Sequence, residues 1–199
     1  SNTINIADRT IGINHPTYFV ADIGSNADGD LDRAKDLIHL ANDSGADAVK
    51  FQNFRVDHIV SDYGFATLGS QISHQSSWQQ SVFEVYRTNS LPFDWTPVLA
   101  ETAAELGIHY FSSPYDYEAI DHLKPYVPAY KAGSGLLSWP QALEYMASQD
   151  LPVLIATGAS ELGEITRVVR RLLEINSELV LMQCNTNYTG LPAVFDHLH

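Results

Sequence analysis

Two lysines of the sequence lie inside short apolar stretches, Lys50 in Val49-Lys50-Phe51 and Lys131 in Tyr130-Lys131-Ala132. Burying an unpaired amine is costly, so an anionic ligand explains a lysine in such a stretch better than packing does. Further polar residues follow the ends of similar stretches: the acid Asp22, the hydroxyl residues Ser113, Ser134, Thr157 and Tyr188, and the carboxamides Gln52, Asn185 and Asn187. Lysines supply charge, and hydroxyls and backbone N–H groups supply directed donors. The set therefore predicts a site for a small, doubly anionic ligand.

Several of these residues also have a purely structural explanation. Asp22 is equally suited to fastening the glycine turn that follows it, and hydroxyls or carboxamides at strand ends often cap the next helix. Cys184 is predicted to be buried packing and not a nucleophile, because no histidine lies near it in the sequence to activate it. His74, His109 and His122 lack the spacing of metal ligands, so no metal site is predicted within the chain.

The apolar stretches that carry the polar residues alternate with helical patterns. Apolar residues recur at three- and four-residue spacing in the intervening segments, for example from Leu31 to Ala41 and from Ile165 to Leu172, which predicts amphipathic helices. Alternating residues within 1–16 predict a small hairpin ahead of the main fold. The predicted strands are residues 18–23, 48–51, 109–112, 129–132, 153–156 and 179–182.

Capping residues mark the ends of the predicted helices. Asp116, Ser138 and Thr96, which precedes a proline, are predicted N-caps. Gly45 and Gly107 stand where two of the helices should stop.

The alternation of buried strands with helices requires parallel pairing, which leaves a doubly wound sheet or a (β/α) barrel. Polar residues follow nearly every strand and are not gathered at one switch point, which favours the barrel. Residues 1–199 are therefore predicted to be the N-terminal portion of a (β/α)8 TIM-type barrel that stops after about six strands. Residues 53–92 interrupt the rhythm and are predicted to be an inserted lid or binding loop, helical in part.

Composition excludes several classes of partner. The chain of 199 residues is 45% hydrophobic and has a formal net charge of -13, which repels nucleic acid. It contains neither a stretch long enough to span a bilayer nor the pattern of a signal peptide, so no membrane partner is expected. Its one cysteine allows no internal disulfide, which suits the cytoplasm.

Six strings of residues together resemble the sialic acid synthase family over essentially the whole chain. They look closest to the bacterial branch that acts in surface-glycan biosynthesis. In order, the strings are Ala21-Asp22-Ile23-Gly24-Ser25-Asn26, Val49-Lys50-Phe51-Gln52, Ser112-Ser113-Pro114-Tyr115-Asp116, Tyr130-Lys131-Ala132-Gly133-Ser134-Gly135, Ala156-Thr157-Gly158-Ala159-Ser160 and Gln183-Cys184-Asn185-Thr186-Asn187-Tyr188-Thr189.

The resemblance implies an enzyme that condenses phosphoenolpyruvate with an N-acylated sugar to give a nine-carbon 2-keto acid. It implies a divalent metal, Mn or Mg, that polarises the sugar aldehyde, and a homodimer in which a small antifreeze-like domain after the barrel completes the partner's site. Asp22 takes the place of an acid that handles the proton of the attacking water. By the same resemblance, phosphoenolpyruvate is held by Lys50, Ser113, Lys131, Ser134 and Thr157, and Gln52, Asn187 and Tyr188 face the sugar or the metal-bound intermediate. The expected catalytic residues are Asp22, Lys50 and Tyr188, and Asn185 is an expected substrate-binding residue.

The sequence departs from the family pattern at two positions. Ala27 stands where the family usually has a histidine, and Leu136 stands where it usually has an acid. The family's metal-binding histidines lie on later strands, so the ligands and the antifreeze-like domain are expected to lie outside these 199 residues. Two alternatives stay open: a non-catalytic barrel remnant that binds a sugar or a protein, and a related synthase of a keto sugar phosphate. An open barrel edge further predicts a dimer or larger association.

Overall fold

The structure is a computed structural model and describes residues 3–61, 63–64 and 79–184. The chain divides into two units. We call Phe19–Tyr126 the central unit, and Ser1–Tyr18 together with Val127–His199 the terminal unit.

Strands and helices alternate along most of the chain. The strands are β1 (Thr3–Ile6), β2 (Arg9–Gly12), β3 (Val20–Gly24), β4 (Ala48–Asn53), β5 (His109–Pro114), β6 (Tyr130–Ala132), β7 (Val153–Ala156) and β8 (Leu179–Met182). The α-helices are α1 (Leu31–Asp43), α2 (Val56–Ile59), α3 (Val82–Asn89), α4 (Trp95–Glu105), α5 (Tyr117–Leu123), α6 (Pro140–Ala147) and α7 (Leu162–Leu173), and Ser134–Ser138 form a 3-10 helix.

The central unit is built on a parallel sheet in the order β3-β4-β5. All of β4 except Gln52 is buried, as expected of a parallel strand that is covered on both faces. Helix α1 buries Ala34, Ile38 and Ala41, which recur at three- and four-residue spacing. Gly45 follows α1 with φ +83°, a left-handed conformation that glycine adopts without strain.

The terminal unit contains the hairpin and a second parallel sheet. Strands β1 and β2 pair antiparallel, with Ile4 opposite Ile11, and β6, β7 and β8 pair parallel in chain order. Helix α7 buries Val168 and Leu172 on its apolar stripe. The hairpin, the six later strands and their parallel pairing were all expected from the sequence, and the class is α/β with parallel sheets. Closure into a barrel, and its truncation, stay predictions.

Two of the predicted helix caps are wrong. Helix α4 begins at Trp95, one residue before Thr96, and the buried Thr96 hydroxyl instead accepts a hydrogen bond from Asn53 Nδ2 at 3.4 Å. The Ser138 hydroxyl donates back to Gly135 O at 2.7 Å, and Trp139 takes the N-cap of α6. Asp116, in contrast, caps α5 as predicted, because its carboxylate accepts from Ala119 N at 2.7 Å.

The predicted insertion, residues 53–92, contains regular structure in its described part. Asn53 still belongs to β4, and helices α2 and α3 follow. Val56, Val60 and Val82 form a small buried cluster there, with Phe83 and Tyr86 packed against it. No helix among the described residues is both long and apolar enough to cross a bilayer.

Candidate functional site

Lys50 and Asp22 form an ion pair on the sheet of the central unit. The two residues are register partners on adjacent parallel strands, and Lys50 Nζ lies 2.8 Å from Asp22 Oδ1. The lysine side chain is 9% exposed, whereas that of Asp22 is 61% exposed. The amine is therefore withdrawn from water and has a carboxylate partner that reaches solvent.

Gln52 and Ser113 lie on the same face of this sheet as Lys50. Gln52 is two residues beyond Lys50 on β4, and Ser113 is its register partner on β5. Gly24 lies close by with φ +58°, and a Cβ there would lie 3.5 Å from Gln52 Nε2. The predicted site residues Asp22, Lys50, Gln52 and Ser113 are thus brought together at the C-terminal part of the central sheet.

A cleft of about 320 Å³ lies beside Gln52 in the central unit. We call it the α3 cleft, because α3 contributes three of its lining residues. It is lined by Ser25, Asn26, Asp28, Gln52, Phe54, Val85, Tyr86 and Asn89. Sequence reasoning identified Gln52 but none of the α3 residues, since their packing onto the strand ends is a tertiary contact with no local signal.

In the terminal unit, parallel pairing gathers Ser134, Thr157 and Cys184. Ser134 Oγ lies 3.3 Å from Cys184 Sγ, which also accepts a hydrogen bond from Gly158 N at 3.1 Å. The Thr157 hydroxyl donates to Met182 O at 3.1 Å. Cys184 is only partly buried and makes polar contacts, so its interpretation as buried packing is wrong.

Lys131 lies on β6, shortly before Ser134 in the sequence. Its Nζ donates a hydrogen bond to Ala132 O at 2.9 Å. Asn185, Asn187 and Tyr188 lie outside the described residues. That Lys50 and Lys131 face one cavity stays a prediction, as do the roles of all these residues.

A buried polar network that the sequence did not predict ties β4 to β5 and α4. Ser112 Oγ donates to Asn53 Oδ1 at 2.6 Å, and Asn53 in turn contacts Thr96. Burial raises the pKa of Tyr110 well above its ordinary value, and the nearby Thr96 and Ser112 hydroxyls oppose that rise. The network fixes the strand segment next to Gln52 and Ser113.

A second network fastens α2 to the start of α5. Asp116 Oδ2 lies 2.8 Å from His58 Nδ1 and 3.4 Å from Arg55 Nε. Arg55 also pairs with Glu118, and its guanidinium lies 5.5 Å from the centre of the Phe93 ring. One aspartate thus caps α5 and also contacts two basic residues, Arg55 at the start of α2 and His58 within α2. The capping pattern predicts only the first of these tasks.

The two positions that depart from the family pattern are packed as apolar residues. Ala27 is 4% exposed and Leu136 is 6% exposed. Within the described part of the chain, no three His, Cys, Asp or Glu residues are grouped so that they could hold a metal ion. The divalent metal that the resemblance implies finds no donor set there, and we derive no chemical step through it.

Two curated proteins illustrate what the sequence is similar to. It is 33% identical to N,N'-diacetyllegionaminic acid synthase of Legionella pneumophila over 86% of the chain and 49% of that protein. It is 30% identical to human N-acetylneuraminate-9-phosphate synthase over 92% of the chain and 51% of that protein. The chain thus spans about half the length of these relatives.

Solved structures agree in fold. A spore coat polysaccharide biosynthesis protein of Bacillus subtilis matches with a TM-score of 0.77 and 27% identity, over 96% of this chain and 50% of that one. An N-acetylneuraminic acid synthetase of Leptospira borgpetersenii, solved with citrate, matches with a TM-score of 0.84 and 24% identity, over 98% of this chain and 63% of that one. The family model described as NeuB matches residues 37–198. Because that match covers most of the sequence, and carries the strand-end motifs from Lys50 onward, the chain belongs to the NeuB family.

Proposed function

We propose that the protein takes part in a condensation of phosphoenolpyruvate with an N-acylated hexosamine, which gives a nine-carbon 2-keto sugar acid and inorganic phosphate. The observation that carries the proposal is the Lys50 amine, withdrawn from water at a strand end and paired at 2.8 Å with Asp22. A buried ion pair adds little to the stability of the fold, whereas a buried amine binds an anionic substrate directly. The names of the relatives support the same chemistry.

In the proposed reaction, C3 of phosphoenolpyruvate forms a bond to the aldehyde carbon of the open-chain sugar. Water then adds at C2, and phosphate leaves with cleavage of its bond to carbon. Lys50, Ser113, Lys131, Ser134 and Thr157 would bind phosphoenolpyruvate through charge and hydroxyl donors. Asp22 would accept the proton of the attacking water, and Gln52, Asn185, Asn187 and Tyr188 would face the sugar. Of the five residues assigned to phosphoenolpyruvate, Lys50 and Ser113 lie in the central unit, and Lys131, Ser134 and Thr157 lie in the terminal unit.

Calorimetric titration of phosphoenolpyruvate into the protein expressed from its complete reading frame tests this proposal. We expect Lys50→Met to weaken binding ~100-fold, because a charged donor to the phosphate or carboxylate is lost. Lys35→Met, on α1, removes the same charge from a helix and should leave the affinity unchanged. Equal affinity in the wild type and Lys50→Met would contradict the proposal.

One observation favours a second candidate, a non-catalytic family member that binds a sugar or a protein. Ala27 and Leu136 are buried apolar residues where the family usually places polar groups. This candidate predicts no phosphate release from phosphoenolpyruvate with any N-acylmannosamine-type sugar, even in the complete protein. Phosphate release that depends on the sugar would exclude it.

A further inference from the structure

The α3 cleft has two chemically different walls. One wall is apolar and is formed by Phe54, Val85 and Tyr86. The Phe54 and Tyr86 rings meet edge to face with centroids 5.6 Å apart, and Phe54 is 4% exposed. The other wall is polar and includes Ser25 and Gln52, whose side chains lie 3.5 Å apart. Such a lining suits a hydroxylated ligand that carries one apolar substituent.

The charge of this cleft disfavours a phosphorylated ligand. Among the described residues that line it, Asp28 is the charged one, and none is a lysine, arginine or histidine. Arg33 contacts two of the lining residues. Its guanidinium is committed to the loop after β3, because Nη2 lies 3.1 Å from Asp28 Oδ2 and Nε donates to Asn26 O at 3.0 Å. A phosphate group entering here would meet the Asp28 carboxylate, and the described lining residues would offer that phosphate no cation.

Helix α3 is fixed in place against the loop after β3. Gly29, with φ +73°, approaches α3 so closely that a Cβ would lie 3.3 Å from Thr88 O. Ser81 caps α3 by accepting from Glu84 N at 3.2 Å, and Asn89 Nδ2 donates back to Val85 O at 2.7 Å. The two hydrogen bonds stabilise α3 itself, and the close approach of Gly29 places α3 directly against the loop that carries Asn26 and Asp28. A wall packed in this way can select a ligand by shape.

We propose that α3 is the selectivity wall of the acceptor subsite: Phe54 and Tyr86 receive the methyl of the acceptor's N-acyl group, and Asp28 discriminates against an acceptor that carries phosphate. This inference rests on the proposed function. It assigns specificity to Phe54 and Tyr86 of the insertion and to Asp28 of the loop after β3, apart from the lysines and hydroxyls that would hold phosphoenolpyruvate.

The first test compares N-acetyl- and N-formylmannosamine, which differ by one methyl, with the complete protein. Burial of one methyl favours the N-acetyl sugar about fourfold in kcat/KM, and Tyr86→Ala should abolish that preference while leaving the KM for phosphoenolpyruvate unchanged. Tyr145→Ala makes the same truncation on α6, outside the α3 cleft, and should retain the preference. An unchanged preference in Tyr86→Ala would overturn the inference.

The second test compares the free sugar with its 6-phosphate. The wild type should prefer the free sugar, and Asp28→Lys should shift the ratio of kcat/KM values at least tenfold toward the phosphorylated sugar. Asp36→Lys, at an exposed position of α1, makes the same change in net charge and should leave the ratio as it is. Equal shifts in the two variants would show a general field effect and would count against a role for Asp28.

A binding measurement separates failure of this inference from failure of the proposed function. Saturation-transfer NMR of N-acetylmannosamine reports contact at the acyl methyl without turnover. If phosphoenolpyruvate binds but the methyl signal is absent or insensitive to Tyr86→Ala, the inference fails alone. If the methyl signal depends on Tyr86 but phosphoenolpyruvate does not bind, the proposed function fails and the acceptor wall stands.

Discussion

At the scale of single residues, the pair Lys50–Asp22 is asymmetric in its exposure. The lysine side chain is 9% exposed and the aspartate side chain 61% exposed. Loss of the aspartate leaves a buried ammonium without this carboxylate, whereas loss of the lysine leaves a carboxylate that water can solvate. The two halves of one ion pair therefore have different effects on stability.

This asymmetry gives a prediction that is independent of activity. Asp22→Asn should lower the free energy of unfolding by about 1–3 kcal/mol, and Lys50→Met should change it by less than about 1 kcal/mol. Urea denaturation of the two variants and the wild type provides the values. A larger loss in Lys50→Met than in Asp22→Asn would show that the lysine contributes to stability through its packing and not only as a binding group.

At the scale of elements, the sequence predicted strands better than it predicted what fastens them. Residues 153–156 and 179–182 were predicted as strands with their observed limits, because each is a short apolar run between turn residues. The prediction that Thr96 and Ser138 are N-caps was wrong. A hydroxyl near a helix start has competing hydrogen-bond partners, which are Asn53 for Thr96 and Gly135 for Ser138.

A site residue could be predicted from the sequence only where its chemistry is unusual among its sequence neighbours. Lys50 was identified because it is charged between apolar residues. Asn53 and Arg55 were missed because polar residues near a strand end are ordinary, and their partners Ser112 and Asp116 are more than 50 residues away. Tyr86 was missed as a site residue, because its contact with Phe54 depends on how the insertion folds.

Asp116 carries a prediction at this scale, because it connects two elements as well as capping one. Asp116→Ala should lower the free energy of unfolding by about 2–3 kcal/mol, since the cap and the contacts to Arg55 and His58 are lost together. Asp30→Ala is the matched control: Asp30 caps α1 through Asp32 N and Arg33 N, and about 1 kcal/mol is expected there. Thermal unfolding of both variants measures the two losses of unfolding free energy. Equal losses would mean that the connection from α2 to α5 contributes no stability.

At the scale of the whole molecule, a strand edge and the net charge have opposite effects on the association of copies of the chain. Within the described residues β8 pairs with β7 alone, and Leu181 on β8 is 48% exposed. Such an edge favours association with another chain. The formal charge of -13 makes copies of the chain repel each other.

We therefore expect the 199-residue chain to associate more strongly as salt is added, because the repulsion is screened within about 10 Å at 0.1 M ionic strength while edge pairing is not. Sedimentation velocity at low and high sodium chloride measures the fraction of dimers and larger species. A monomer at both concentrations would contradict the prediction, and dissociation by salt would point to an association through charge pairs instead.

The division of the chain has a consequence for the order of events on the ribosome. The hairpin β1–β2 leaves the exit tunnel before the central unit, yet the rest of its unit begins only at Val127. At ~5–20 residues per second, the whole central unit is synthesised during the intervening ~5–20 s. The nascent hairpin must wait for its structural partners, while β3, β4 and β5 have all emerged and can pair. Co-translational folding is thus expected to form the sheet of the central unit before the hairpin meets the rest of the terminal unit.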